Sequence, residues 1–388
     1  MSGDVFGNGM LLSRHIKLVA AFDHRHVFLD PNPDPERSFV ERERMFRLPR
    51  SSWADYDASL LSAGGGIHAR TAKSIALTPE VKAALGIGAS VASMTPTELV
   101  NAILKAPVDL IYNGGIGTYV KSSDESHAQV GDRANDVLRV DGRELRCKVF
   151  AEGGNLGCTQ LGRIEFALAG GRINTDAIDN SAGVDTSDHE VNIKILLGIP
   201  IADGEMTEKQ RNALLPTMTD EVAALVLRDN VFQTQVLSVT NRIRAQLFDA
   251  QTRFMLFLEK AGRLNRAIEY LPSDEVIAER RAAGIGLTTP ERAVLLAYAK
   301  IWLYDELLAS PLPDDPWVGT TLARYFPKVL RERFASYMPR HPLRREIIAT
   351  HVTNSMLNRV PPTTPSAAMP CRPRSPAATA PCAWCSNC

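Results

Sequence analysis

The chain has 388 residues, of which 45% are hydrophobic and 23% are charged, which is the composition of an ordinary globular protein long enough for two domains. Lys+Arg and Asp+Glu number 44 each, so no net charge attracts nucleic acid or an anionic membrane. No apolar run reaches the roughly 18 residues of a spanning helix, and the N-terminus lacks a secretory apolar segment. We therefore expect a cytoplasmic protein whose partner is a small molecule or another protein chain.

The first half of the chain alternates short apolar runs with helical patterns. Thr95-Pro96-Thr97-Glu98 predicts a capped helix start, and a further helix is predicted from Thr159 to the glycines at 170 and 171. The predicted strands lie in Ile16–Phe22, Val108–Gly115, Lys148–Asn155 and, more weakly, Arg172–Gly183. This order predicts an α/β fold with a doubly wound, Rossmann-like, mostly parallel sheet, which binds ligands at the carboxyl ends of its strands.

From about residue 205 the pattern becomes helical. Helices are predicted to begin at a capping box at Thr207 and at Thr289-Pro290. The amphipathic stretches that follow are expected to pack in the core and at interfaces. After Val360 the chain is rich in proline and cysteine, which favours disorder over a zinc site at Cys382, Cys385 and Cys388. The predicted domains are therefore a sheet domain at 1–204, a helical domain at 205–359 and a disordered tail at 360–388.

The N-terminal glycines suggest a cofactor loop that begins at the first residues. Gly7-x-Gly9 follows no strand, so it does not match a dinucleotide fingerprint. A phosphate loop at Ser2-Gly3, followed by a helix over Asp4–Ser13 that faces the pyrophosphate, fits the spacing to Asp23 better. Asp23 would then accept hydrogen bonds from the adenosine-ribose hydroxyls and favour NAD over NADP. The nearby Arg25 could instead pair with a phosphate, which would weaken that preference. On this interpretation the first strand of the sheet is missing.

Two later strands run into loops of glycine and asparagine. The first loop contains Asn113, Gly114 and Gly115, and the second is Glu152-Gly153-Gly154-Asn155. A glycine pair is most often a simple tight turn, but bare backbone beside an amide side chain also suits a flat ring. An asparagine can donate to a carboxamide oxygen and accept from its nitrogen, as a nicotinamide requires. We therefore predict the cofactor's reactive ring here.

The segment Asp185–Glu190 is rich in catalytic residue types. A Ser187–His189 hydrolase site is disfavoured because neighbouring side chains point in different directions. The acids and His189 also lack the spacing of a helical metal pair, so no metal site is predicted. We expect one hydroxyl of this segment to bind substrate.

Several long segments together resemble the large bacterial NAD-specific glutamate dehydrogenases. They are "DVFGNGMLLS", "KLVAAFDHRHVFLDPNPDPERSF", "APVDLIYNGGIGTYVK", "VFAEGGNLGCTQLGRIEFALAGGRINTDAIDNSAGVDTSDHEVN" and "MTDEVAALVLRDN". The resemblance implies NAD as cofactor, conversion of L-glutamate to 2-oxoglutarate and ammonium, and a homo-oligomer. It also implies that Asn113 to Gly115 pass the nicotinamide ribose, that Asn155 and Asn180 lie in the family's cofactor motifs, and that Ser187 binds the distal carboxylate of glutamate.

The resemblance covers residues 1–359 and departs from the family in two respects. The family's catalytic lysine and aspartate belong to a substrate domain that precedes the cofactor domain, and no residue here corresponds to them. The tail beyond Arg359 reads as a frame-shifted sequence where the family continues as helix. The expectation is a piece of a dehydrogenase with little turnover of its own, or alternatively a non-catalytic nucleotide-binding or subunit-assembly fragment.

Overall fold

A computed structural model describes residues 8–360, which form two compact units. The first unit runs to Asp185 and includes Thr288–Ala293, and the second takes Thr186–Leu287 and the residues from Val294 onward. The division lies inside a long helix, whereas the sequence placed the domain boundary after residue 204. The predicted phosphate loop at Ser2, Gly3 and Asp4, like the predicted tail beyond Val360, lies outside the described residues.

The first unit combines short helices with short strands. Its helices are α1 Asn8–Leu11, α2 Pro35–Arg47, α3 Pro79–Leu85, α4 Pro96–Leu104, α5 His127–Val130, α6 Gln160–Leu168 and α7 Asp176–Asp179. Its strands are β1 Ala20–Phe22, β2 His26–Leu29, β3 Gly66–Ala69, β4 Ile75–Ala76, β5 Ser93–Met94, β6 Leu110–Asn113, β7 Val120–Lys121, β8 Val140–Asp141 and β9 Val149–Glu152. Short 3₁₀ turns occur at Trp53–Asp55, Ala58–Leu60, Arg133–Asn135 and Gly142–Glu144.

Helices build the second unit within the described part of the chain. Helix α8, Ser181–Ala202, begins in the first unit and continues into the second, and α13, Thr289–Ala309, does the same. The other helices are α9 Glu208–Leu214, α10 Thr219–Arg242, α11 Arg244–Lys260, α12 Asp274–Ala282, α14 Pro316–Gly319, α15 Thr321–Tyr325, α16 Lys328–Arg333 and α17 Arg344–Leu357. Short 3₁₀ turns occur at Leu215–Met218, Leu312–Asp314 and Met338–Arg340. None of these helices is long and apolar enough to cross a membrane.

The strands form parallel and antiparallel groups, so the α/β class is confirmed at the level of a mixed fold. β6 pairs with β9 and β7 pairs with β8 in parallel, whereas β1, β2 and β3 form an antiparallel sheet and β4 pairs antiparallel with β5. The helical character predicted for the later part of the chain is also confirmed.

Two predicted strands differ from the structure. Within Ile16–Phe22 only β1 is a strand, and it turns back on β2 as a hairpin because Asp23 bonds the backbone of the turn. The prediction of a strand across Arg172–Gly183 is wrong. Arg172 alone makes a parallel bridge, to Val149, and helices α7 and α8 take up residues 176–179 and 181–183. The Asn and Asp residues there favour local side-chain bonds over a ladder.

The helix starts read from capping residues are confirmed. The Thr95 hydroxyl accepts from the Glu98 N–H, and the Glu98 carboxylate accepts from the Thr95 N–H at 2.7 Å. Thr207 and Gln210 make the same exchange at the start of α9. Helix α6 ends before Gly170, whose φ of 99° places it in the left-handed region that glycine tolerates. For α13 the residue before the helix is Thr288, one position earlier than the predicted cap, and its N–H and hydroxyl both donate to the Glu291 carboxylate.

Each unit has its own apolar core. Val27, Leu99 and Phe150 belong to the core of the first unit, which packs β2, α4 and β9 together. Leu196, Phe326 and Ile348 belong to the core of the second unit. Burial of such side chains contributes roughly 1.5–3 kcal/mol each, so the first core holds the ends of β6 and β9 in place.

Candidate functional site

The candidate site begins where the parallel strands β6 and β9 end. The pairing register sets Asn113 beside Glu152, so the two following loops leave the same edge of the sheet. Ligands of parallel sheets bind outside the carboxyl ends of the strands. The loops predicted to hold the nicotinamide therefore lie together at the edge where such a ligand is expected.

The glycines of the second loop allow the two loops to touch. A Cβ at Gly154 would lie 2.7 Å from the carbonyl oxygen of Gly115, and one at Gly153 would overlap the Tyr112 hydroxyl. A Cβ at Gly157 would overlap the amide of Asn113. At Gly154 the obstacle is backbone, so the chain's own packing requires a glycine there, whereas at Gly153 and Gly157 it is the end of a side chain that can move. The sequence left open a simple tight turn and a cofactor ring close to the backbone, and the contact with the first loop is a further reason for the glycine at position 154.

Gly115 differs from these glycines. A Cβ built at Gly115 meets no atom of the described residues within 4 Å apart from its chain neighbours, so the backbone there borders open space. Below it, Asn113 is only 9% exposed, and its Nδ2 has no hydrogen-bond partner among the described residues. A buried donor without an acceptor costs about 1–3 kcal/mol, which makes a ligand or water acceptor favourable at this position.

The structure brings two predicted cofactor residues into contact. The Nδ2 of Asn180, at the end of α7, donates to the Oδ1 of Asn155 at 2.8 Å. Asn155 is exposed and Asn180 is half-buried, so their amides lie at the surface of the site. Because each amide orients the other, the pair presents donors and acceptors in a defined direction.

A buried ion-pair network lies beneath the second loop. Arg163 of α6 donates to both carboxylate oxygens of Glu152, with Nε–Oε2 at 2.7 Å and Nη2–Oε1 at 2.9 Å, and its Nη2 lies 3.2 Å from Asp176. The Glu152 side chain is 0% exposed and that of Arg163 is 5% exposed. Burial raises the pKa of Glu152, while the hydrogen bonds from Arg163 oppose that shift. The Oε1 of Glu152 also accepts from the Cys158 N–H at 3.0 Å, so the network shapes the loop directly.

The same network positions α7 and therefore Asn180. Asp179 accepts from the Glu152 N–H at 3.0 Å and from the Asn174 amide at 2.8 Å, and burial raises the pKa of its carboxyl. Asp176 accepts from the Leu156 N–H at 2.8 Å. Sequence reasoning missed this network, because its members are separated along the chain. The acid at the end of a buried strand, Glu152, was the available signal that a buried cation must be close.

Asp23 lies in the turn between β1 and β2. Its Oδ1 accepts from the N–H groups of Arg25 and His26, each at 2.7 Å. One oxygen of Asp23, the residue predicted to bind the ribose, therefore stabilises the hairpin. The neighbouring Phe22 ring meets the Tyr119 ring edge-on at 5.6 Å. Because Tyr119 follows the first glycine loop, β1 ends near the candidate site.

Ser187 is exposed on α8. Next to it, Asp188 accepts from the Tyr325 hydroxyl at 2.7 Å, and the buried His189 ring stacks on Tyr325 with ring centroids 4.3 Å apart. Burial lowers the pKa of His189. Residues two apart on a helix do not face each other, so Ser187 and His189 are not arranged as a nucleophile and its base. His189 anchors α8 within the second unit.

A separate cleft of about 530 Å³ lies elsewhere in the first unit, and its lining includes Ile87, Met94, Glu98 and Arg146. The guanidinium of Arg146 is held there by the carbonyl oxygens of Leu85 and Lys105. This cleft contains neither glycine loop. Among the described residues, no three His, Cys, Asp or Glu side chains are grouped so that they could hold a metal ion.

Two family models match the chain. Residues 1–240 match the family model described as bacterial NAD-glutamate dehydrogenase, catalytic domain, and residues 284–384 match the one described as glutamate dehydrogenase, C-terminal. The chain belongs to the bacterial NAD-glutamate dehydrogenase family. The candidate loops lie inside the first match, and this confirms the family resemblance drawn from the sequence.

Curated relatives carry the name NAD-specific glutamate dehydrogenase. The protein of Pseudomonas aeruginosa is 60% identical over 360 residues, which cover 93% of this chain and 22% of the relative. The proteins of Mycobacterium tuberculosis and Halomonas elongata are 55% and 54% identical, and each comparison again covers 92% of this chain and 22% of the relative. The chain thus spans about a fifth of the length of these dehydrogenases.

Proposed function

We propose that this chain carries the NAD-binding part of a glutamate dehydrogenase, with the nicotinamide at the carboxyl edge of the β6–β9 pair. The single observation that carries the proposal is the hydrogen-bonded pair of Asn155 and Asn180 beside the open backbone at Gly115. NAD would supply the hydride acceptor for the oxidation of L-glutamate to 2-oxoglutarate and ammonium.

The residues at this edge fit such a ligand in three respects. The missing side chain at Gly115 leaves room next to the backbone, as a ribose passing the loop requires. Asn113 offers a buried donor for which the described part of the chain provides no acceptor. Asn155, whose Oδ1 is occupied by Asn180, directs its Nδ2 as the donor for a carboxamide oxygen. The two loops therefore bind and orient the ring.

Other roles complete the proposal. Asp23 would hold the adenosine ribose, and the segment at Ser2, Gly3 and Asp4 would face the pyrophosphate. Ser187 would bind the distal carboxylate of glutamate. In the complete enzyme we propose a Rossmann-like sheet that includes β6 and β9, a homo-oligomer and a cytoplasmic location, as the family resemblance implies.

We assign cofactor binding to these 388 residues. The family's proton-handling lysine and aspartate have no counterpart in this sequence, and general acid–base groups contribute about 10²–10⁴-fold each. We therefore expect the 388-residue chain to bind NADH while turning over glutamate poorly.

A fluorescence titration of the 388-residue chain with NADH tests the proposal. We expect saturable binding that Asn155→Ala weakens about tenfold, since a lost hydrogen bond of roughly 1.4 kcal/mol corresponds to that factor. Asn212→Ala, at an exposed asparagine of α9, is the matched control and should bind as the unaltered chain does. Absence of NADH binding, or equal affinity for the Asn155→Ala chain, would contradict the proposal.

A further inference from the structure

Leu156 has a backbone conformation that is unusual for its side chain. Its φ of 59° lies in the left-handed region, and its side chain is 65% exposed. An L-residue other than glycine or asparagine pays about 1–2 kcal/mol for this conformation. An exposed leucine recovers little of that cost through burial in its own chain, and an outlier of this kind motivates a functional hypothesis.

The backbone of Leu156 is held on both sides. Its N–H donates to the Oδ2 of Asp176 at 2.8 Å, and its carbonyl oxygen accepts from the Thr118 hydroxyl at 2.7 Å. Asp176 is itself paired with the buried Arg163. These bonds tie the residue to both α7 and the first glycine loop, so its side chain leaves the loop in a fixed direction.

We propose that Leu156 is an apolar contact residue for the dinucleotide, an inference that rests on the proposed function. Nucleotide sites combine a few oriented polar groups with apolar side chains that cover the faces of the ring. Asn155 supplies the polar group, and Leu156 follows it directly in the chain. Ile116, 73% exposed on the facing loop, gives the same edge of the site a second apolar side chain.

The decisive variant is Leu156→Gly. Glycine adopts a positive φ without strain, so the variant should unfold at a temperature no lower than that of the unaltered chain. Its dissociation constant for NADH should nevertheless rise about tenfold, which corresponds to about 1.4 kcal/mol. A side chain that serves only the folding of the loop would not show retained stability together with lost affinity.

Two further variants complete the experiment. Leu156→Asn keeps a residue that tolerates the left-handed region but removes the apolar surface, and it should also bind NADH about tenfold more weakly. Leu168→Ala is the matched control, because Leu168 is 52% exposed in the same unit and lies at the end of α6 remote from the loop. Its NADH affinity should not change.

Thermal unfolding, NADH titration and sedimentation are measured for all four chains. Weaker binding by both Leu156 variants, with stability retained and Leu168→Ala unaffected, supports the inference. Unchanged affinity overturns it, whether or not the Leu156 variants alter the oligomeric state, and so does an equal loss in the control. If the unaltered chain does not bind NADH, the proposed function itself is wrong. If the unaltered chain binds NADH and the Leu156 variants bind it equally well, only the inference about Leu156 is wrong.

Discussion

Replacement of Arg163 by methionine removes the cation at the centre of the buried network. Methionine has a similar unbranched stem, so the substitution mainly deletes charge and hydrogen bonds. It leaves Glu152, which is 0% exposed, without its bidentate partner, and it leaves Asp176 without its cation. A buried ion pair broken at one partner costs about 3–5 kcal/mol, because an uncompensated charge remains inside the protein.

The assay is equilibrium urea unfolding, combined with hydrogen exchange of the peptides that span residues 149–163. Exchange assigns the loss to the first unit, which a global signal from two units cannot do. The second variant combines Arg163→Met with Glu152→Gln, since glutamine removes the charge and keeps an acceptor for the Cys158 N–H. This pair should recover about 1–3 kcal/mol relative to Arg163→Met alone, because contacting residues couple by that order.

Two results would refute this reasoning. A loss below about 1 kcal/mol for Arg163→Met would show that solvent or a rearranged side chain compensates Glu152 easily. Additive losses in the double variant would show that Glu152 and Arg163 do not stabilise each other. In either case the network would not determine the shape of the loop that carries Asn155.

The cysteines and glycines of the same unit allow further tests. Burial raises the pKa of the Cys147 thiol to about 11 and also raises the pKa of the Cys158 thiol. After iodoacetamide treatment at pH 8, peptide mapping should therefore find both thiols labelled only in the unfolded chain. Rapid labelling of the native chain would contradict the burial of these thiols. Because the thiols ionise less readily in the folded chain than in the unfolded chain, the free energy of unfolding should fall as the pH rises from about 9 towards 11. Gly154→Ala should lower the unfolding temperature, since its Cβ would press on the Gly115 carbonyl oxygen, whereas Gly115→Ala should leave the unfolding temperature unchanged and weaken NADH binding. A destabilised Gly115→Ala chain would contradict the open space described there.

Local sequence signals predicted the elements that depend on neighbouring residues. The capping exchange of Thr95 with Glu98 and the end of α6 near Gly170 involve residues a few positions apart, so the pattern alone specifies them. The apolar runs also located β6 and β9, of which β9 contributes Phe150 to the core and β6 packs the partly buried Ile111 against it. The predicted edge with its two glycine loops follows from those two strands.

Contacts between residues far apart in the chain could not be predicted from these local signals. The segment from Arg172 to Gly183 was read as a strand because of its apolar residues, but Asp179 bonds the backbone of β9 and folds the segment into α7. The pairing of Asn155 with Asn180 and the burial of Arg163 against Glu152 likewise join residues that only the tertiary fold brings together. The left-handed conformation of Leu156 has no local sequence signature, since leucine rarely adopts it.

Hydrogen exchange of the 388-residue chain with and without NAD tests the location of the cofactor most directly. We predict slower exchange in the peptides that cover residues 112–119 and 152–158, where the two loops meet, and no change along α3 and α4. Protection confined to the separate cleft beside Met94 and Arg146, with both glycine loops unaffected, would contradict the assignment of this edge as the nicotinamide site.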